Sequence, residues 1–111
     1  YMATGQDMAN IGEANQCSVY SYVTSAGDLY YSITLPALIM ATFGGGTSLA
    51  TQRECLEMMD CYGTGKAYKL VEIAAGLVVA GELSLVSAAR TDKKTGKNDW
   101  VDAHEKLGRN R

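Results

Sequence analysis

Three consecutive glycines, Gly44-Gly45-Gly46, divide the chain into two parts with different hydrophobic periods. Before them apolar residues alternate, as in a strand; after them they recur every three or four positions, as in a helix. A chain patterned in this way folds as α+β, with the β-rich part first and the helices following. Glycine tolerates positive φ and carries no Cβ, so a ligand or a second backbone can come close at the junction. A glycine turn that opens a helix also aims unpaired N–H groups at one spot, which suits an anionic ligand. A tight or flexible turn is the other reading of three glycines, and taken alone they favour it; the rest of the chain has to decide.

The β-rich part consists of two alternating runs. In residues 17–24, Cys17, Val19, Ser21 and Val23 share one side, and Ser18, Tyr20, Tyr22 and Thr24 the other. Ser25-Ala26-Gly27-Asp28 supplies a turn, and residues 29–35 alternate again, with Leu29, Tyr31, Ile33 and Leu35 on one face. This pattern predicts an antiparallel hairpin. Pro36 marks an edge or bend, and residues 37–43 are expected to resume as a strand that delivers the chain to the glycines. Upstream, Gly5-Gln6-Asp7 reads as a turn or helix cap, with Asp7 as a candidate for chemistry.

After Thr47 a short helix is expected, opened by a capping box in Thr51-Gln52-Arg53-Glu54. Residues 60–65 form a turn. Gly63-Thr64-Gly65-Lys66 is not a phosphate loop, because that motif needs glycine where Asp60 stands and Ser or Thr where Ala67 stands. Residues 66–89 carry Leu70, Ile73, Ala74, Leu77, Val78, Gly81, Leu85 and Ala88 at helical spacing. Lys69, Glu72 and Glu82 interrupt the apolar run, so a buried helix of a soluble protein is expected rather than a membrane span. Residues 90–99 read as an exposed polar loop. A final helix over residues 100–107, capped by Asn98 or Asp99 and ended by Gly108, carries His104, the chain's single histidine.

Charge is distributed unevenly: residues 1–60 hold one basic residue, Arg53, against six acidic ones, and residues 61–111 nine against six. No basic patch interleaved with aromatics is present, so nucleic acid is not an expected partner. Cys17, Cys55 and Cys61 are odd in number, lack a C-x-x-C pair and fit reduced thiols in the cytoplasm. With one histidine, no metal-binding constellation is visible. The opening Tyr1-Met2-Ala3-Thr4 shows no signal-peptide pattern and reads as the interior of an element, so a piece of a larger protein is expected.

Taken in order, Gly5-Gln6-Asp7-Met8-Ala9-Asn10, Asp28-Leu29-Tyr30, Leu35-Pro36, Gly44-Gly45-Gly46-Thr47, Glu54-Cys55-Leu56, Ala80-Gly81-Glu82-Leu83-Ser84-Leu85 and Ala103-His104 resemble the C-terminal part of HMG-CoA reductase. The match in order and spacing covers residues 1–89 and again 100–111. Its pattern is that of the class found in eukaryotes and archaea. The resemblance implies an NADPH-dependent, four-electron reduction of HMG-CoA to mevalonate and CoA. It also implies a homodimer with active sites at the subunit interface, in the cytoplasm or on the cytosolic face of the endoplasmic reticulum if a membrane anchor precedes the segment.

The same resemblance assigns roles. Asp7 takes the place of the aspartate in a charge relay with a lysine and a glutamate, and His104 that of the histidine that protonates the departing CoA thiolate. Gly44, Gly45, Gly46 and Thr47 lie by the cofactor, and Leu85 and Ala88 line the substrate. Residues 1–89 correspond to the C-terminal part of the substrate-binding domain, with a β-hairpin sheet packed on a long central helix, and 90–111 to a loop and histidine-bearing flap. The relay lysine and glutamate and the small cofactor-binding domain have no counterpart here, and residues 90–99 exceed the family's usual link. An isolated chain is therefore expected to be inactive. The alternative from another class is a non-catalytic remnant serving in folding or dimerisation.

Overall fold

The computed structural model describes residues 1–90, Asp92, Gly96 and 98–106, with 103–106 described by backbone alone. In chain order the elements are a 3-10 turn at Met8–Asn10, helix α1 (Ile11–Ala14), strands β1 (Ser18–Val23) and β2 (Leu29–Thr34), a 3-10 turn at Gly45–Ser48, and helices α2 (Ala50–Met58), α3 (Ala67–Ala89) and α4 (Asp99–Lys106). The α+β class expected from the hydrophobic periods is the class observed.

The hairpin forms where alternation predicted it. β1 and β2 pair antiparallel from Ser18 opposite Thr34 to Val23 opposite Leu29. Thr24 closes the turn in two ways: its N–H donates to the Asp28 carbonyl at 2.8 Å and its hydroxyl accepts the Asp28 N–H at 3.0 Å. Gly27, at φ +89°, supplies the left-handed residue that the reversal needs. On one face Tyr22 stacks on Tyr30 with ring centroids 5.0 Å apart, and Tyr20 lies 6.2 Å from Tyr30. Large side chains are exposed on both faces of the ribbon, Tyr20, Tyr22 and Tyr30 on one side and Val19, Val23 and Leu29 on the other, while Tyr31 and Ile33 are half-buried.

Residues 37–43 depart from expectation, because they form no strand. Their backbone groups are taken by other partners. Tyr1 donates its hydroxyl to the Ile39 carbonyl at 2.5 Å, and the Gln6 carboxamide takes both the N–H and the carbonyl of Ala41. Thr42 and Gly63 bond reciprocally: Gly63 N–H donates to the Thr42 carbonyl at 2.8 Å, and the Thr42 hydroxyl to the Gly63 carbonyl at 2.7 Å. With these groups engaged elsewhere, the segment cannot offer a continuous ladder to a neighbouring strand.

The capping box also fails. α2 begins at Ala50, so Thr51 lies inside the helix and the cap position falls on Leu49, which makes no side-chain cap bond. The preceding 3-10 turn instead runs directly into α2: Leu49 N–H bonds the Gly46 carbonyl at 3.2 Å, and Arg53 N–H bonds the Leu49 carbonyl at 2.8 Å.

The C-terminus of α2 nucleates the core. Asp60, at φ +52°, turns the chain left-handed. Cys61 N–H then reaches the Leu56 carbonyl at 2.7 Å and Asp60 N–H the Glu57 carbonyl at 2.9 Å. This is the Schellman pattern, and it brings Cys61 against Leu56, the apolar contact that commonly accompanies it. Both are fully buried, and Leu70 from the first turn of α3 joins them with Met40, Met59, Tyr62 and Ile73 packed around. Asp60 bonds Lys66 at 2.5 Å and Lys69 at 3.0 Å, which ties the turn to the start of α3 and lowers its carboxyl pKa to about 2.

Two compact units can be distinguished, Tyr1–Gly76 and Leu77–Arg111. In the second, the Asn98 side-chain oxygen accepts the N–H groups of Trp100 and Val101 at 3.1 Å each and so caps α4, one of the two candidates foreseen. The buried helix expected over residues 66–89 is buried only at its start. Leu70 is buried, whereas Leu77, Leu85 and Val86 are exposed. By length and composition α3 is long and apolar enough to cross a membrane. The proposed helix end at Gly108 lies outside the described residues.

Candidate active site

The Gly5-Gln6-Asp7 segment is a compact turn. Gly5 N–H bonds the Met2 carbonyl and Gln6 N–H the Tyr1 carbonyl, and Asp7 then extends (φ −66°, ψ 116°) to cap the 3-10 turn Met8–Asn10. One Asp7 carboxylate oxygen, Oδ1, accepts the Ala9 N–H at 3.0 Å. The cap holds one oxygen of an exposed carboxylate in place, and so orients the whole group.

The glycine turn is built just as locally. Gly44 sits at φ +83° and leads into the 3-10 turn Gly45–Ser48. Thr47 is buried to 1% exposure, and both its N–H and its hydroxyl donate to the Gly44 carbonyl, at 3.2 and 2.5 Å. A Cβ placed on Gly44 or Gly45 would meet nothing within 4 Å. The backbone at these two residues therefore borders open space.

Gly46 does the opposite job. A Cβ on Gly46 would lie 2.7 Å from the Gly5 carbonyl oxygen, and one on Gly5 would lie 2.2 Å from the Gly46 carbonyl oxygen. The two backbones touch, and only two glycines allow it. Residues 5–7, Ala41 and 43–47 consequently line one depression of about 500 Å³, to which both Asp7 and the glycine turn contribute. Phe43 is 63% exposed on its rim, with its ring 6.0 Å from that of Tyr62. The Arg53 guanidinium lies 4.8 Å over Tyr62 and bonds Glu57 at 2.7 Å, and this carboxylate raises the Arg53 pKa. A carboxylate fixed beside open glycine backbone can orient a cation and admit a flat or anionic group at close range.

A family profile described as hydroxymethylglutaryl-coenzyme A reductase matches residues 1–109. The chain belongs to this family. It is 47% identical over 109 residues to the 3-hydroxy-3-methylglutaryl-coenzyme A reductase of Methanocaldococcus jannaschii, a match covering 98% of this chain and 25% of that protein. With the reductase of Pyrococcus abyssi it shares 45% identity over 114 residues, covering 98% and 26%, and with that of Camptotheca acuminata 38% over 116 residues, covering 98% and 18%. The chain thus spans about a quarter of the length of its archaeal relatives.

Of the residues singled out in the sequence, Asp7, Gly44, Gly45, Gly46 and Thr47 are brought together in the depression. Leu85, exposed, and Ala88, half-buried, belong to the second unit, on the C-terminal half of α3. His104 falls in the backbone of α4, and its side chain lies outside the described residues. Sequence reasoning missed Gln6 and Phe43 as site residues. Gln6 stands between two motif residues, but nothing in an isolated amide announces that it is buried. Phe43 looked like the end of an apolar run; its exposure follows from the chain turning left-handed at Gly44 immediately afterwards.

Proposed function

We propose that this chain forms one wall of the active site of an NADPH-dependent HMG-CoA reductase, which reduces HMG-CoA to mevalonate and CoA with two NADPH. The observation that carries the reading is the meeting of Asp7 and the glycine turn around one depression, in a chain of this family. In this reading Asp7 keeps a lysine from another part of the reductase cationic and aimed at the alkoxide developing on the substrate, because a carboxylate within a few ångströms favours the charged amine. NADPH supplies the hydrides when bound. The open backbone of Gly44 and Gly45 fits close approach of that cofactor, with Thr47 fixing the turn, while most of the cofactor is held by parts outside this chain.

His104 donates the proton that the departing CoA thiolate takes up, a task suited to the chemistry of an imidazole. Leu85 and Ala88 present an apolar wall to the substrate. Residues 1–89 act as part of the substrate-binding domain and 90–111 as the histidine-bearing flap. The complete reductase works as a dimer with interfacial sites, in the cytoplasm, or on the cytosolic face of the endoplasmic reticulum where a membrane anchor precedes the segment. The deciding experiment is Asp7→Ala in the complete enzyme. Mevalonate formation should fall by about 10²-fold or more, the range for losing a group that acts on proton transfer or developing charge. Undiminished turnover would remove Asp7 from the mechanism.

A further inference from the structure

We infer that Gln6 is a positioning residue that sets the gap between the Asp7 carboxylate and the glycine turn; the inference rests on the reductase reading of the depression. Gln6 is 6% exposed, and its carboxamide is fully engaged on the donor side. Nε2 donates to the Ala41 carbonyl at 2.8 Å and to Thr4, whose hydroxyl and carbonyl oxygens lie at 3.1 and 3.2 Å. Oε1 accepts the Ala41 N–H at 2.6 Å. A primary amide has two N–H donors, and both are used within the protein, so Gln6 has none left for a ligand. Its influence on a bound molecule passes through the segments it joins.

Those segments are the two sides of the site. By taking both the N–H and the carbonyl of Ala41, one side chain reproduces a strand-like bridge between positions 35 apart in sequence. Asp7 follows Gln6 directly, and the glycine turn begins three residues after Ala41. The contact between Gly5 and Gly46 acts as the stop that limits how closely the segments approach, and the Gln6 amide is the tie that keeps them from parting. The two opposing constraints fix a distance, where either alone would set only a limit.

The test uses the complete reductase carrying this segment, with Gln6→Met, which keeps the volume of the side chain and removes its hydrogen bonds. Backbone amide hydrogen exchange should speed up about tenfold or more at Ala41 and Thr47, with Leu56 and Cys61 unchanged, since the core does not depend on the tie. Turnover of HMG-CoA should fall about 10- to 100-fold, as expected for a displacement approaching 1 Å, with KM for HMG-CoA within about twofold. In an Asp7→Asn background the same substitution should lower turnover less than about twofold, because the alignment it protects no longer matters.

Unchanged protection at Ala41 and Thr47, or an equal loss of turnover with and without Asp7, overturns the inference. If Asp7→Asn alone retains full turnover, the reductase reading is what fails, and the exchange data then decide the role of Gln6 by themselves. Should Gln6→Met not fold, Gln6→Glu carries the same readouts, because it keeps the acceptor for the Ala41 N–H and loses the donor.

Discussion

Gly5→Ala strikes directly at the contact between the two backbones. The new methyl would sit 2.2 Å from the Gly46 carbonyl oxygen, 2.4 Å from its carbon and 2.8 Å from the Thr47 nitrogen, all backbone atoms that no rotamer change can move. Restoring ordinary van der Waals contact requires the segments to part by roughly 1 Å. At that displacement the Gln6–Ala41 bonds, now 2.6 and 2.8 Å, pass beyond hydrogen-bonding distance. Alanine at φ +68° costs a further 1–2 kcal/mol, roughly. Two lost hydrogen bonds add about 0.5–1.5 kcal/mol each, which brings the destabilisation to about 2–5 kcal/mol. Gly45→Ala is the matched control. It is also left-handed, at φ +53°, but its Cβ meets open space, so only the conformational cost of about 1–2 kcal/mol applies. Urea melts of the complete enzyme measure both variants, and NADPH oxidation with HMG-CoA measures their turnover. Gly5→Ala should be the less stable of the two by about 1–3 kcal/mol, and slower than wild type by an order of magnitude or more. If the two variants melt alike, the backbone contact does not organise the site.

Two further outcomes follow from other elements. Asp60→Asn keeps a residue that tolerates the left-handed turn but removes the charge paired with Lys66 and Lys69. Because the Asp60 pKa is lowered from an ordinary value of 3.8 to about 2, its contribution is complete above 3.8 and is lost as pH falls through about 2. The stability gap between wild type and variant, read as the urea midpoint, should be largest at pH 5–7 and shrink by pH 3, and a gap independent of pH would leave the ion pairs without effect. His104→Ala in the complete reductase should reduce HMG-CoA about 10²-fold or more slowly while retaining most of the reduction of the intermediate aldehyde, which releases no thiolate. Equal loss on both substrates would argue against a role in protonating CoA.

How much of this was legible beforehand depends on the kind of force involved. The hairpin and α3 were readable because apolar burial imposes a period on the sequence, and Ser18–Val23, Leu29–Thr34 and Ala67–Ala89 follow that period within a residue or two. The Asn98 cap was readable because its chemistry is local. The strand expected at residues 37–43 was misread for the opposite reason. A continuous apolar run such as Leu38 to Ala41 says nothing about partners, and here the partners are the side chain of Gln6 and the backbone of Gly63, 35 and 21 residues away. The capping box failed by two positions: Thr51-x-x-Glu54 is the right motif, but the 3-10 turn ahead of it starts the helix earlier, with the cap at Leu49. The resemblance supplied the pairing of Asp7 with the glycine turn. Spacing alone offered a cap and a turn, with no reason to join them.

The pattern of burial explains why the site is held as it is. Among the described residues the buried apolar side chains are Ala14, Leu56, Cys61 and Leu70, and the buried polar ones are Gln6, Thr42 and Thr47. All three polar residues act on the segment from Ala41 to Thr47: Gln6 holds Ala41, Thr42 is locked to Gly63, and Thr47 bonds Gly44. Apolar burial is non-directional and tolerates sliding. Hydrogen bonds between a buried side chain and a backbone group tolerate little, because an unmade one leaves a buried polar atom without a partner. The glycine turn is therefore positioned by direction-specific contacts, with the small apolar core at Leu56 and Cys61 serving as the anchor below Gly63. A site that needs a carboxylate set against open backbone is better served by this arrangement than by a larger core, since Asp7 and the glycine turn are held around one depression without bulky side chains filling it.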